Sequence, residues 1–157
     1  MSRRDLIRMT EDEQAEFLEN GFTAVLTSID ASGMPHPVAM WYVTIDGLPH
    51  FATYTKSQKV LNFRRNPKAA VMVEDGKVYS ELRGLLLQGT AEVRDDPELA
   101  YRIQRGMAEK YEARGPLGDL PEAVEQRLRV QAAKRSAVIV HPERVVSWDH
   151  RKLGGVY

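Results

Sequence analysis

The sequence predicts a mainly β fold with some helix, an α+β arrangement in which six short antiparallel strands close into a small barrel. Most strand-forming segments are short and are joined by tight turn signals, which favours hairpin connections. Two helical segments occur together before the chain returns to strand near its end. Closure removes the exposed edges that short strands otherwise leave, whereas an open α+β sheet is the alternative that the same patterns allow.

Turn signals divide the first third of the chain into a helix and three strands. A capping box at Thr10 to Glu13 predicts the start of a short helix, and the segment from Phe22 to Ile29 predicts the first strand. Asp30-Ala31-Ser32-Gly33 predicts a hairpin turn that leads to a strand from Pro37 to Ile45. Asp46-Gly47 predicts the next turn, which is followed by a strand from Leu48 to Tyr54.

The rest of the chain begins with a short helix. Ser57 is expected to cap this helix, which ends at Asn66-Pro67 because the residue before proline disfavours helical geometry. Asp96-Pro97-Glu98 predicts the start of the longer helical stretch. The chain then returns to strand from Ala137 to Val140, turns at His141-Pro142-Glu143 and forms a last strand from Val145 to Trp148.

Two glycines interrupt a strand predicted from Leu82 to Val93. Glycine weakens the interior of a strand, so it usually marks a bulge or a close approach of another backbone. Gly84 and Gly89 therefore predict irregular pairing in this strand.

The composition is that of a soluble domain. With 157 residues, 43% hydrophobic and 28% charged, one domain spanning residues 1–157 can bury a core. The 22 basic and 22 acidic residues cancel, which argues against general affinity for nucleic acids or membranes. The N-terminus lacks the apolar stretch of a secretory signal and no segment is long enough to span a membrane, so we expect a cytoplasmic location. The absence of cysteine excludes disulfides and thiol nucleophiles.

The most informative segment is basic. Residues 47–73 contain no Asp or Glu, although an even distribution would place about four there. At the expected strand-to-helix junction this segment offers hydroxyls and cations: Thr53, Thr55, Ser57, Lys56 and Lys59. Unpaired backbone N–H groups at a helix start, together with lysine, are typical of a phosphate site, and Lys59 and Asn62 share one helix face. A solvated helix face is the alternative, and Arg64 and Arg65 are expected at the surface.

Other motifs are weaker. Trp41 and Tyr42 are adjacent in a predicted strand, so one faces the core while the other meets solvent or lines a slot for a flat ring beside Pro37 and Val38. The histidines lack zinc spacing, and neither a Gly-x-Ser-x-Gly elbow nor a Gly-x-Gly-x-x-Gly fingerprint occurs. We therefore predict no metal ligand and no catalytic side chain. Redox chemistry would come from a bound cofactor.

The order of these motifs resembles the FMN-binding split-barrel superfamily, the pyridoxamine 5′-phosphate oxidase-like proteins. The resemblance covers about residues 10–148 and implies a six-stranded antiparallel split β-barrel with short flanking helices. Three segments carry it: Thr23-Ala24-Val25-Leu26-Thr27-Ser28 with Gly33-x-Pro35-His36-Pro37-Val38, Thr53-x-Thr55-Lys56-Ser57-Gln58-Lys59-x-x-Asn62, and Gln88-Gly89-Thr90-Ala91-Glu92-Val93. The chain differs from the oxidase itself, which has Ser-Arg-Lys where Ser57-Gln58-Lys59 stands here.

Within that superfamily the sequence is most similar to the flavin/deazaflavin oxidoreductase B group, which binds coenzyme F420. The resemblance implies an oxidoreductase that transfers a hydride from this deazaflavin to a small organic substrate. It also implies a homodimer with the cofactor in a groove between protomers. The cofactor-binding residues that it implies are Pro37, Val38, Met40, Trp41, Thr53, Tyr54, Thr55, Lys56, Ser57, Lys59 and Asn62.

Three other functions remain open. An FMN-dependent oxidoreductase would share the fold and differ in its cofactor. A binding protein for flavin, deazaflavin or a tetrapyrrole-like ring would hold its ligand without turnover. A nucleic-acid-binding barrel would use the basic segment with Trp41 and Tyr42 as stacking platforms, although zero net charge argues against it.

Overall fold

The computed structural model describes residues 3–154. Its strands form one antiparallel sheet. The strands are β1 (Ala24–Ile29), β2 (Pro35–Met40), β3 (Val43–Ile45), β4 (Leu48–Tyr54), β5 (Lys68–Asp75), β6 (Arg83–Arg94) and β7 (Arg135–Asp149). The helices are α1 (Arg3–Leu6), α2 (Glu11–Asn20), α3 (Gln58–Arg65), α4 (Pro97–Met107) and α5 (Glu122–Ala132). No described helix is long and apolar enough to cross a membrane.

The predicted α+β class is confirmed, but the sheet has seven strands rather than six. The segment Pro37 to Ile45 does not form one strand, because Trp41 and Tyr42 separate β2 from β3. Tyr42 is fully buried and its hydroxyl donates to the carbonyl of Leu18. The backbone N–H and C=O of Tyr42 both bond to the hydroxyl of Tyr111, so they are removed from any strand pairing.

The sheet curls until its two edges approach each other. The strand order is β2-β1-β5-β6-β7-β4-β3, so β2 and β3 lie at opposite edges. Only Trp41 and Tyr42 join them, which limits the separation of the Met40 and Val43 Cα atoms to about 11 Å. Among the described residues β2 and β3 are not paired, so the barrel is split at this place, which we call the β2–β3 seam.

The β6–β7 pair is irregular at Gly89, as the sequence predicts. The register shifts between Gln88 and Gly89, where Pro142 and Arg144 of β7 face consecutive residues of β6 and Glu143 is left over. This is a β-bulge. The turn expected at residues 141–143 was wrong, because β7 continues through them.

Local capping signals place two of the helices, α2 and α4, as predicted. Thr10 Oγ1 accepts a hydrogen bond from the Glu13 amide, while the Thr10 amide donates to the Glu13 carboxylate. Asp96 caps α4 by accepting from the amides of Glu98 and Leu99. Helices α2 and α3 contribute to the core inside the curved sheet, whereas α4 packs with β3, β4 and β7 in a second apolar cluster.

Candidate functional site

The basic segment forms the junction between β4 and α3, as the sequence predicts. Ser57 occupies the cap position of α3, but its side chain makes no capping hydrogen bond. Its Oγ instead lies 3.3 Å from Thr53 Oγ1. The positive end of the α3 dipole is therefore not compensated by a side-chain cap, and the first turn of α3 carries no acidic residue.

Lys59 turns its side chain back toward the end of β4. Its Nζ donates a 3.0 Å hydrogen bond to Thr53 Oγ1. The side chain is half-buried, and no carboxylate of residues 3–154 lies within ion-pair distance of it. Burial lowers the pKa of this ammonium. An ammonium that is partly removed from water without a counter-ion is well suited to an anionic ligand.

Asn62 lies beneath this junction and is fully buried. Its Nδ2 donates to Ser28 Oγ at 2.9 Å, which links α3 to β1. Its Oδ1 accepts from Gln58 Nε2 at 2.9 Å and from Arg65 Nη2 at 3.1 Å. Both ends of the amide are thus engaged inside the protein, so Asn62 is placed to hold α3 in position.

The two arginines that follow are exposed, which confirms the prediction that they lie at the surface. Arg64 forms an ion pair with Asp95, in which its Nη2 donates to both carboxylate oxygens, at 2.6 and 2.8 Å. Arg65 donates to the carbonyl of Ile29 at 2.8 Å. Lys56 is also exposed. The arginines are therefore partnered within the protein, whereas Lys59 is paired with no acid.

Distant parts of the chain complete the junction, and sequence reasoning missed them. Ser136 on β7 faces Thr53 across the β4–β7 pair. Its hydroxyl donates to the Asp95 carboxylate and lies 3.0 Å from Thr55 Oγ1, 81 positions away in sequence. No local pattern marks Ser136 or Asp95, because the pairing of β4 with β7 brings Ser136 to the site and the pairing of β6 with β7 brings Asp95 there.

Arg135 is a second cation beside the junction. It faces Tyr54 in the same strand pair, and its guanidinium lies 4.4 Å from the centroid of the Tyr54 ring. Its Nε is buried and has no hydrogen-bond partner within the described part of the chain. Tyr54 itself is 59% exposed. The junction is therefore flanked by two cations, Arg135 and Lys59, neither of which forms an ion pair with a carboxylate of the described residues.

The second group of predicted residues lies on β2 and at the seam: Pro37, Val38, Met40 and Trp41. Trp41 is 44% exposed, and its indole stacks on the Tyr111 ring with centroids 4.5 Å apart and planes 2° from parallel. Tyr42 points into the core. The prediction that the two aromatic residues face opposite sides is confirmed.

Strand β1 connects the two groups. Ser28, which binds Asn62 under the junction, is directly opposite His36 on β2. Such opposed residues have Cα atoms about 4.5–5.5 Å apart. The junction is therefore close to the start of β2, and Trp41, five residues beyond His36, lies about 17 Å farther along at the rise of a strand.

The chain also matches known proteins. The family model described as pyridoxamine 5′-phosphate oxidase matches residues 10–149. The chain belongs to this family. Its structure superposes on a conserved hypothetical protein from Mycobacterium tuberculosis with a TM-score of 0.88 and 37% sequence identity, covering 100% of this chain and 95% of that one. The predicted resemblance to pyridoxamine 5′-phosphate oxidase-like proteins is confirmed.

Two further structures are similar to this oxidase-family member. An F420 reductase is 27% identical with a TM-score of 0.62, covering 83% of this chain and 93% of that one. The heme storage protein HutZ from Vibrio cholerae is 20% identical with a TM-score of 0.62, covering 87% of this chain and 94% of that one, and shows the common fold. No curated protein matches the sequence.

Proposed function

We propose that this member of the pyridoxamine 5′-phosphate oxidase family is an oxidoreductase that uses coenzyme F420 to transfer a hydride to a small organic substrate. The observation that carries the proposal is the half-buried ammonium of Lys59, bonded to Thr53 Oγ1 and paired with no carboxylate of the described residues. The similarity to an F420 reductase supports the choice of deazaflavin over FMN.

The junction fits the phosphate of such a cofactor. The hydroxyls of Thr53 and Ser57 and the ammonium of Lys59 are within one hydrogen-bonded group. Lys59 and the uncapped start of α3 would compensate the negative charge, and hydroxyls would donate to its oxygens. Thr55, Tyr54 and Lys56 would line the same turn, while Asn62 holds α3 beneath it.

We place the ring of the cofactor along β2 and the seam: Pro37, Val38, Met40 and Trp41. When bound, the reduced deazaflavin supplies the hydride. The chain's own residues bind and orient the cofactor and exclude water, and no side chain is assigned as acid or base. Trp41 suits this role because stacking on the Tyr111 ring already fixes the orientation of its indole.

The proposal includes a homodimer with the cofactor in a groove between protomers, and a cytoplasmic location. Large apolar side chains remain exposed around both groups of residues, among them Tyr54 at 59%, Leu61 at 47% and Trp41 at 44%. A second protomer would cover such side chains and complete the walls that one chain leaves open.

A cofactor titration tests the assignment of the junction. We expect cofactor-free protein to bind F420 more tightly than FMN. Lys59→Ala removes a charge-assisted contact and should weaken binding by about 1.5–3 kcal/mol, which is about 10- to 150-fold in Kd. Lys77→Ala removes an equal charge from an exposed turn and serves as the matched control, with an unchanged Kd.

Each alternative gives a different result. An unchanged Kd for Lys59→Ala would contradict the phosphate assignment. Uptake of FMN without F420 would identify an FMN-dependent oxidoreductase of the same fold. Binding without substrate-dependent oxidation of the reduced cofactor would identify a binding protein. Sedimentation of the loaded protein as a monomer would contradict the shared groove.

A further inference from the structure

A cavity of about 530 Å³ lies between the end of α2, strand β3 and the segment that follows α4. It contains none of the residues assigned to the cofactor. Its wall combines apolar, acidic and basic side chains, including Phe22, Val43, Thr44, Glu19, Lys110 and Arg114. Such a mixture of an apolar surface with a few polar groups is typical of small-molecule sites.

Two polar side chains of this wall lack partners. Lys110 Nζ and Thr44 Oγ1 are both buried, and no atom of residues 3–154 forms a hydrogen bond with either. Buried polar groups in folded proteins are nearly always hydrogen-bonded, so each exception needs an explanation. Both atoms lie behind the surface of the cavity, and both would gain partners if the side chains of Lys110 and Thr44 rotated toward a group bound in it.

The ammonium of Lys110 is held by aromatic rings rather than by an anion. Its Nζ lies 4.0 Å from the centroid of the Tyr42 ring and 5.3 Å from that of Tyr111. Burial lowers the pKa of this lysine, whereas the charge of Glu19 acts in the opposite direction. Glu19 forms no ion pair with Lys110, so the ammonium has a nearby negative charge but no direct acceptor.

The neighbouring carboxylate is already occupied. Glu109 lies 3.5 Å from Arg105 and accepts a 3.2 Å hydrogen bond from the amide of Leu117. It is therefore held away from Lys110. Among the described residues the wall thus carries two cations, Lys110 and Arg114, against one further acid, Glu19, and this positive balance favours an anionic ligand.

The backbone around Lys110 is unusual. Residues Ala108–Ala113 form a π-helix, a rare turn that occurs frequently at functional sites. It ends at Arg114 with φ +55°, a left-handed conformation that costs energy for a residue other than glycine. This segment places Lys110 and Arg114 in the wall of the same cavity.

We propose that this cavity binds the carboxylate of a small organic acid with an apolar body. Lys110 and Thr44 donate to the carboxylate, Arg114 adds positive charge, and Phe22 and Val43 contact the apolar part. The flexible stem of lysine lets its ammonium move from the Tyr42 ring to the ligand. The proposal involves no cofactor and goes beyond the proposed function.

Benzoate and benzamide are suitable probes because they have the same shape and differ in charge. In an NMR titration of cofactor-free, 15N-labelled protein, benzoate should shift the amide signals of Thr44 and Lys110. Benzamide should bind about tenfold more weakly or worse. Lys110→Met keeps the length of the side chain without its charge and should weaken benzoate at least about tenfold.

Two further variants sharpen the test. Thr44→Val replaces the hydroxyl by a methyl group and should weaken benzoate about threefold. Lys77→Met is the matched control and should bind benzoate as the wild type does. If Lys110→Met fails to fold, Thr44→Val and the comparison of the two probes still decide the matter.

Four results would overturn the proposal. The first is equal affinity for benzoate and benzamide, and the second is wild-type affinity in Lys110→Met. The third is benzoate shifts confined to the junction at residues 53–59. Absence of benzoate binding combined with a lower melting temperature for Lys110→Met would likewise assign the lysine to packing alone. None of these results affects the cofactor titration, which depends on Lys59.

Discussion

Burial favours the neutral form of three basic side chains: His50, Lys59 and Lys110. Desolvation is the largest cause that lowers the pKa in each case. His50 keeps one hydrogen bond, from its Nδ1 to the carbonyl of Leu48 at 2.8 Å. When the pKa of a group is lower in the folded state, the unfolded state binds more protons, and stability falls as the pH decreases through the interval between the two values.

We therefore expect a loss of stability on acidification that originates at His50. The free energy of unfolding should fall as the pH decreases from the ordinary histidine value of 6.5 through the lowered pKa of His50, and the loss is complete below that pKa. His50→Asn keeps a donor for Leu48 and should flatten this part of the pH profile. Urea denaturation at several pH values measures the free energy of unfolding of both proteins. If it depends on pH in His50→Asn as it does in the wild type, His50 is not the cause of the loss.

At the scale of elements, the β6–β7 pair leaves no room for a side chain at Gly89, where the bulge lies. A Cβ added to Gly89 would lie 2.0 Å from the carbonyl oxygen of His141 and 2.9 Å from the amide nitrogen of Glu143. Both are backbone atoms of β7, so they can move only if the strand moves. The absence of a side chain at Gly89 therefore allows the two strands to stay paired through the bulge.

Gly89→Ala should destabilise the protein by about 1–3 kcal/mol, the usual cost of overpacking. Gly118→Ala is the control, because nothing lies within 4 Å of a Cβ added there. It should leave the stability unchanged or raise it slightly, since alanine restricts the unfolded chain. Equal urea midpoints for the two variants would show that the bulge adjusts without strain.

Elements with local causes could be predicted from the sequence. The helix start at Asp96-Pro97 and the helix end at Asn66-Pro67 depend on neighbouring residues, and both are where they were expected. The break of the expected strand at Trp41 and Tyr42 could not be predicted, because it depends on the distant Tyr111. The basic half of the candidate site is contiguous and was predicted, whereas its β7 part requires strand pairing.

At the scale of the whole molecule, Tyr111 connects the helical segment after α4 to the seam. Its hydroxyl donates to the Tyr42 carbonyl at 2.8 Å and accepts from the Tyr42 amide at 3.1 Å. Its ring also stacks on Trp41. The Tyr111 side chain thus satisfies both backbone groups of Tyr42, at the place where the chain passes from edge strand β2 to the opposite edge strand β3.

Tyr111→Phe should therefore lower the free energy of unfolding more than the loss of an ordinary surface hydroxyl does. It leaves a buried donor and a buried acceptor of Tyr42 without partners, which we expect to lower the free energy of unfolding by about 1–3 kcal/mol. Tyr54→Phe, at an exposed ring, should change it little. Urea denaturation compares the two, and similar values would show that water replaces the lost hydroxyl.

The seam also determines how the wall of this barrel can open. Separating two neighbouring strands elsewhere in the sheet breaks a ladder of backbone hydrogen bonds, up to the long ladder between β6 and β7. Within the described residues, separating β2 from β3 breaks no ladder. The contacts that would change are those of Trp41 with Tyr111 and Phe22 and those of Tyr42 with Tyr111 and the Leu18 carbonyl. The barrel is therefore closed at the seam by the contacts of Trp41 and Tyr42 rather than by strand pairing. These two residues lie between the ring position proposed along β2 and the cavity proposed to bind an organic acid.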